Sequence, residues 1–436
     1  MVDEKEPILP LGSFLFPHIF RSFRMAIQPS KLLVAFLALI VICLTGWVMD
    51  LSRTVAAVDR PPDRRTELDV YVESYGSVES LLVFRRDQDA RTGVFAALWQ
   101  FGASRFHTAL QALFAPNIPV VVGSAAECIR AIIWAFMWHT TYSFVFFAVV
   151  FVVLSLAGGA ICRIAALQFA QGEKPSLVQA ARFGIRKFTA VLAAPITPVA
   201  VIIVIGVSVI LLGLIGNVPV VGEILTGLFL PLSLMAAFLV TVILIGTVAG
   251  LNLMVPAIAY EDSDCFDAVS RSFGYVYAKP WRMGFYTVVA TVYGAICYVF
   301  VRFFAFVLLW TTYQFLQVGF VHDNEKLQSL WPEPTAAGFL GSAAPAPDAW
   351  SMWLGSVLIR VWVLAIVGLL VSFLVSFYFS ANTVIYGLMR NRVDNTPLDE
   401  VYTYSEAAPG EPSPPEISPP AAASGEEPEQ NRETSE

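Results

Sequence analysis

Charge is what this 436-residue chain has least of: Asp, Glu, Lys and Arg make up 14%, against roughly 25% in a soluble globular protein. So few charges could not cover a water-facing surface, which excludes the two or three soluble domains that the length alone suggests. The complement, 57% hydrophobic residues with a mean hydropathy of +0.67, is that of an integral membrane protein. The expected fold class is all-α and polytopic, because spanning helices satisfy their own backbone in lipid.

Cysteine and histidine are also sparse. Cys43, Cys128, Cys162, Cys265 and Cys297 stand singly, with no C-x-x-C pair, which argues against a disulfide framework or a cysteine zinc site. They read as small apolar packing residues. The four histidines, His18, His107, His139 and His322, have no ligand spacing. P-loop, dinucleotide, nucleophile-elbow and paired-carboxylate signatures are absent from the sequence. The sequence therefore nominates no catalytic residue, metal or cofactor and leans against an enzyme.

Net charge is −7, but residues 395–436 hold ten acids against one base, so that tail carries −9 and the rest of the chain is +2. The acidity belongs to a tail with eight prolines, expected to be disordered, and it argues against nucleic acid as a partner.

About 20 apolar residues cross a bilayer, and six regions qualify: Leu32–Met49, Ile132–Ile161, Phe188–Ile215, and stretches within Ile224–Tyr260, Phe285–Leu316 and Trp353–Leu388. The first reads as an uncleaved signal-anchor, since Thr54-Val55-Ala56-Ala57 is a poor cleavage site. Pro195, Pro198, Pro231 and Pro256 are candidate break points. Basic residues gather at Arg21, Arg24 and Lys31, at Arg163, Lys174, Arg182, Arg186 and Lys187, at Arg271, Lys279 and Arg282, and at Arg390 and Arg392. Their distribution places both termini in the cytoplasm. The predicted organisation is a cytoplasmic segment 1–31, a first span 32–49, an extracytoplasmic loop domain 50–130, a five-span domain 131–394 and the tail 395–436.

Outside the spans, Gly12–Gln28 mixes aromatics with Arg21 and Arg24, and reads as an interfacial helix or a basic lead-in to the first span. Alternation in Glu67–Phe84 permits a strand pair. Thr92 is a candidate N-cap for an amphipathic helix that Pro116 stops. Trp331, Trp350 and Trp353 are candidate interface aromatics.

The sharpest internal pattern aligns Gly172–Ala180 with Tyr260–Ala268 at an offset of 88, matching Glu173 with Glu261 and Ser176 with Asp264. Each copy reads as a span, a polar turn, a capped short helix and another span. In the second, Glu261 closes the span, Asp264 caps the helix, and Asp267 and Arg271 form an i, i+4 pair. Phe266, Val269, Phe273 and Val276 or Tyr277 form its apolar stripe. An EF-hand reading fails, because Asp267 and Phe273 stand where Gly and Glu are needed.

Arg302 and Arg360 are charges inside spans, which by default mark a functional site. On regular helices Arg302 lies about 27 Å from Gly284 and Arg360 about 10 Å below Trp353. Snorkelling is the plain explanation; the alternative is an intramembrane anion or charge-pair site with Glu223 as the nearest free acid, Glu127 being placed to pair with Arg130. Gly246-x-x-x-Gly250 and Ser372, Ser376 and Ser380 are small-residue ridges for helix packing or a homo-oligomer.

The segment Pro256-Ala-Ile-Ala-Tyr-Glu261-Asp-x-Asp-x-x-Asp-Ala268-Val-x-Arg271-Ser272-Phe273 resembles an element of six-span bacterial membrane proteins: the membrane domain attached to some glycerophosphodiester phosphodiesterases and its stand-alone relatives. The resemblance covers about Cys128 to Arg392 in topology and about twenty residues in motif. It implies a fold and a membrane location. Lipid-ester hydrolysis is not carried over, because no hydrolase domain accompanies the spans. The leading expectation is a non-catalytic scaffold or accessory subunit, held in the lipid bilayer, whose cytoplasmic connector helices and tail meet protein partners. The alternative is a transporter or permease-like carrier of an anionic or lipid-like solute.

Overall fold

A computed structural model describes residues 15–58, 65–74, 77–320, 324–336, 338–339 and 349–402. Among them the fold is almost entirely helical. A 3-10 turn, Phe16–Phe20, leads into α1 (Arg21–Ala26) and α2 (Pro29–Met49). The following segment holds β1 (Val55–Ala56), α3 (Glu67–Glu73), α4 (Val78–Asp87), β2 (Arg91–Thr92) and α5 (Val94–Phe114). Then come α6 (Ile118–Trp138), α7 (Thr140–Ala170), α8 (Leu177–Arg186), α9 (Phe188–Ile215), α10 (Val221–Glu261), α11 (Cys265–Ala278), α12 (Pro280–Gly319), α13 (Asn324–Leu330) and α14 (Trp350–Val393).

Seven of the described helices are long and apolar enough to cross a membrane, one more than the six regions read from the sequence. The extra one arises because Ile132–Ile161 is not one helix. His139 leaves the helical backbone (φ −131°, ψ 49°) between α6 and α7. α6 packs along α5 as an antiparallel hairpin. The hairpin starts where the Asp50 carboxylate accepts the Phe95 and Ala96 N–H groups, both at 2.9 Å, and ends at Tyr142, whose hydroxyl donates to the same carboxylate at 2.8 Å. It thus returns the chain to the end of the bundle from which it departs. Gly93 permits this cap, since a β-carbon there would stand 2.0 Å from the Asp50 carboxylate carbon.

The intervening segment corrects two expectations. The described residues of Glu67–Phe84 form helices and no strand pair: Thr66 N–H donates to Asp69 Oδ2 at 2.8 Å and starts α3 in a capping box. The strands are instead β1 and β2, paired antiparallel. The N-cap of α5 is Gly93, and Thr92 belongs to β2.

The four prolines do not break their helices. α9 runs through Pro195 and Pro198, and α10 through Pro231 and Pro256. In a bilayer, neighbouring helices and hydroxyls can satisfy backbone groups that proline frees, so prolines are tolerated inside spanning helices.

The core lies where α7, α10, α11 and α14 meet the chain's N-terminal segment. Gly158 approaches Phe379 and Gly294 approaches Phe377 so closely that a β-carbon would stand 2.6 and 2.5 Å from those rings. Ile19, Met25 and Ala26 are buried in this core, and Ser376 donates to the Ala26 carbonyl at 2.8 Å. The N-terminal segment therefore packs into the bundle, with its expected portion 12–14 outside the described residues. The serine ridge receives this segment, and the glycine ridge receives α11: Gly246 faces Phe273 and Tyr277, and Gly250 faces Ser272. Gly246→Leu should therefore lift α11 and cost about 1–3 kcal/mol, read as a lowered unfolding midpoint in lipid nanodiscs. An unchanged midpoint would mean that α11 is not seated on this ridge.

The two connectors share a construction. Ser176 Oγ accepts from Gln179 N–H at 3.3 Å to cap α8, and Asp264 Oδ1 accepts from Asp267 N–H at 2.9 Å to cap α11. Each helix then folds back along the long helix before it, α8 on α7 and α11 on α10. The buried face of α11 is Ala268, Ser272, Tyr275 and Val276, with Phe266 exposed. Of the expected stripe, Val269, Phe273 and Val276 pack against the core while Phe266 and Tyr277 are exposed, and the small Ala268 and Ser272 are fully buried. Trp331 is buried against Tyr313, whereas Trp350 and Trp353 are exposed. Residues 395–402 belong partly to the bundle, with Val401 buried and Asn391 donating to the Thr396 carbonyl at 2.9 Å. The disorder expected of the tail lies, from residue 403, outside the described residues.

Candidate functional site

The α5–α6 hairpin roofs a cavity of about 310 Å³ between α10, α12 and α14. Phe106, Leu110 and Leu113 of α5 and Val121 of α6 form one wall; Ala290, Gly294, Leu374 and Phe377 form much of the other. A few polar side chains interrupt this apolar lining, the usual make-up of a small-molecule site. They are Asn252, Thr287, Thr291, Tyr298, Tyr378 and Asn382. Tyr378 donates to Asn252 Oδ1 at 2.5 Å, and Asn382 donates to the Tyr378 carbonyl at 2.9 Å, so this polar edge is internally ordered.

Arg302 stands one helical turn beyond Tyr298. Its Nη1 donates to Tyr298 Oη at 3.4 Å and contacts His107 Nε2, and its Nη2 donates to the Ala336 carbonyl at 2.9 Å. The guanidinium also lies over the Phe339 ring, 5.5 Å from its centre. Phe106 packs edge-on against Tyr298 with ring centres 5.1 Å apart. Arg302 therefore sits at the Tyr298 end of the cavity.

The structure does not join the three residues expected at an intramembrane charge site. Arg360 is exposed on α14 and Glu223 is exposed at the start of α10, and no described hydrogen bond or ion pair links either to Arg302. Glu127 pairs with Arg105 across the hairpin at 3.1 Å. His107, Tyr298, Asn252 and Asn382 were not singled out in the sequence. The available signal was polarity inside otherwise apolar helices, and the partner surface of α5 is distant in sequence.

Glu261, Asp264, Asp267 and Arg271 lie at the opposite end of the bundle. Arg271 Nε and Asp267 Oδ2 are 2.9 Å apart. Glu261 instead reaches α14, with Oε1 2.6 Å from Arg390 Nε and accepting from Tyr386 Oη at 3.4 Å. Asp262, in the left-handed region at the end of α10, meets Arg186 at 2.9 Å and Lys187 at 3.3 Å. Tyr275 donates to Asp394 at 2.5 Å. Burial, with that bond, pushes the Tyr275 phenol well above its ordinary value and keeps it protonated. Ion pairs and hydrogen bonds thus clasp the ends of α9, α10, α11 and α14 together. Among the described residues, no group of three His, Cys, Asp or Glu side chains is placed to hold a metal.

No curated protein and no solved structure matches this chain. Residues 103–381, more than half of the chain, match the family described as a domain of unknown function, DUF7847. The matched region takes in most of the hairpin, both connectors, most of the cavity lining and α14 as far as Ala381, so the chain is a multi-pass helical membrane protein belonging to the DUF7847 family.

Proposed function

We propose that this protein binds an anionic, lipid-like solute in the cavity beneath the α5–α6 hairpin and acts as a carrier for it. The observation that carries this reading is the approximately 310 Å³ apolar cavity ending at Tyr298, the residue that touches Arg302. An acyl chain suits the walls, and an acidic head suits the guanidinium that stands beside Tyr298. We place both chain ends in the cytoplasm of a bacterial cell, on the side where α8, α11 and their basic residues lie, following the bias of Lys and Arg. The resemblance to phosphodiesterase-attached membrane domains fits a solute of lipid chemistry and brings no hydrolytic step.

A second reading, a scaffold or accessory subunit, draws on the α9–α10 hairpin. Between Val199 and Ile245, Gly222 is the one buried residue, so this hairpin offers apolar faces that a partner span or a second copy could meet.

Full-length protein in nanodiscs should be stabilised by palmitate, about 2.7 kcal/mol at a hundredfold excess over Kd. Ala295→Trp, which fills the cavity, should abolish the effect. Arg302→Gln should remove most of the preference for palmitate over hexadecanol, about tenfold. Equal responses to acid and alcohol, with no effect of Ala295→Trp, would contradict the reading. Palmitate movement in proteoliposomes then separates a carrier from a binding subunit.

A further inference from the structure

A second cavity, also about 310 Å³, opens at the end of the bundle where α1 meets the end of α7. It is lined by Arg21, Arg24, Met25, Gln168, Phe169, Gly172 and Lys174. Arg21, Arg24 and Lys174 are exposed, and none forms an ion pair with a described residue. The acid nearest in sequence, Glu173, is exposed and pairs with none of them.

Behind the cavity lies Lys31, which is fully buried. Its Nζ donates at 2.9 Å to Oε1 of Gln168, a lining residue. That amide is its one hydrogen-bond partner among the described residues, and no described carboxylate is paired with it. A buried ammonium without a counter-ion is costly. His18 packs edge-on against the lining residue Phe169, ring centres 6.0 Å apart, and its Nδ1 is buried with no described partner. The cavity therefore gathers three exposed cations at its rim, a buried lysine behind its wall and no acid among the described residues.

We propose that this cavity is a phosphate site: it binds the phosphoryl group of an anionic phospholipid headgroup or of a soluble phosphate compound. Two rim arginines provide forked donors matched to phosphate oxygens, Lys174 adds a third positive charge, and Lys31 supplies field through Gln168. The site is separate from the cavity beneath α5 and does not depend on what that cavity holds.

The test uses the full chain in nanodiscs of phosphatidylcholine, compared with nanodiscs containing phosphatidylglycerol and with phosphatidylcholine nanodiscs plus inorganic phosphate. Bound lipid is counted by native mass spectrometry, and phosphate binding is read by ³¹P line broadening. Phosphatidylglycerol retention without a phosphate effect assigns a headgroup; a phosphate effect in phosphatidylcholine assigns a soluble ligand. Either supports the site if it weakens in Arg21→Gln/Arg24→Gln by about fivefold per removed charge, roughly 25-fold together. Both substitutions are on exposed side chains, so the fold is kept. Lys31→Met should weaken binding as well, and its unfolding midpoint separates loss of the site from loss of the fold. Equal binding by the parent and the double variant, for both probes, overturns the proposal.

Discussion

Arg390→Ala should lower stability by about 3–5 kcal/mol, measured by reversible unfolding in mixed micelles. Arg390 is buried at the end of α14, paired with Glu261 at 2.6 Å and donating from Nη1 to the Glu400 carbonyl at 2.6 Å. Removing it leaves Glu261, itself mostly buried, without its cation, and frees residues 395–402 from the bundle. The penalty comes from that stranded charge, more than from lost attraction. The double variant Arg390→Met/Glu261→Gln should therefore recover a substantial part of the loss, because it leaves no uncompensated charge. A single-variant cost below about 1 kcal/mol, the range of exposed pairs, would show that this contact does not clasp α10 to α14.

The second large effect lies at the other end of the bundle. Glu67 is fully buried, and its carboxylate accepts from Arg85 Nε at 2.7 Å, Arg85 Nη2 at 2.8 Å and the Ala56 N–H at 3.0 Å, and lies 3.1 Å from His139 Nε2. One carboxylate thus joins β1, α3, α4 and the α6–α7 joint. Glu67→Ala should cost about 3 kcal/mol and speed hydrogen exchange across residues 55–92. Burial alone would push this carboxyl up, but the bonds from His139, Arg85 and the Ala56 backbone outweigh it and hold it below its ordinary value. A depressed carboxyl contributes stability that is complete above the unfolded value of about 4.3 and is lost as pH falls through the lower folded value. Exchange in this segment should therefore stay unaffected by Glu67 from neutral pH to about 5, then rise in acid. In Glu67→Gln the acid-dependent component should shrink. Retention of the full acid transition in that variant would assign it to other groups.

Several features were legible from local chemistry alone. Low charge and long apolar runs require spanning helices, so the all-α class and most helix positions follow from composition. Asp264 with Asp267, and Ser176 with Gln179, were legible as caps because a cap joins residues three positions apart. Pro116 was legible as a stop because it bears on its own backbone. These determinants act within a few residues, where sequence distance and spatial distance coincide.

Only tertiary structure decided the rest. The divide at His139 was hidden inside an apolar run, since it depends on the ring meeting Glu67, which lies 72 residues earlier. The fate of Arg302 was equally hidden: its contacts to His107 of α5 and to Ala336 come from residues that its own helix does not specify. Lys31 stood among the basic residues before the first span, and the packing of α2 along α7 made it a buried lysine beside a cavity. Hydropathy ranks how strongly a segment prefers lipid; it does not say which polar groups meet. In this protein the sequence by itself determined that the chain crosses a membrane as helices, and the packing of small residues against large rings decided which charges are buried and where cavities remain.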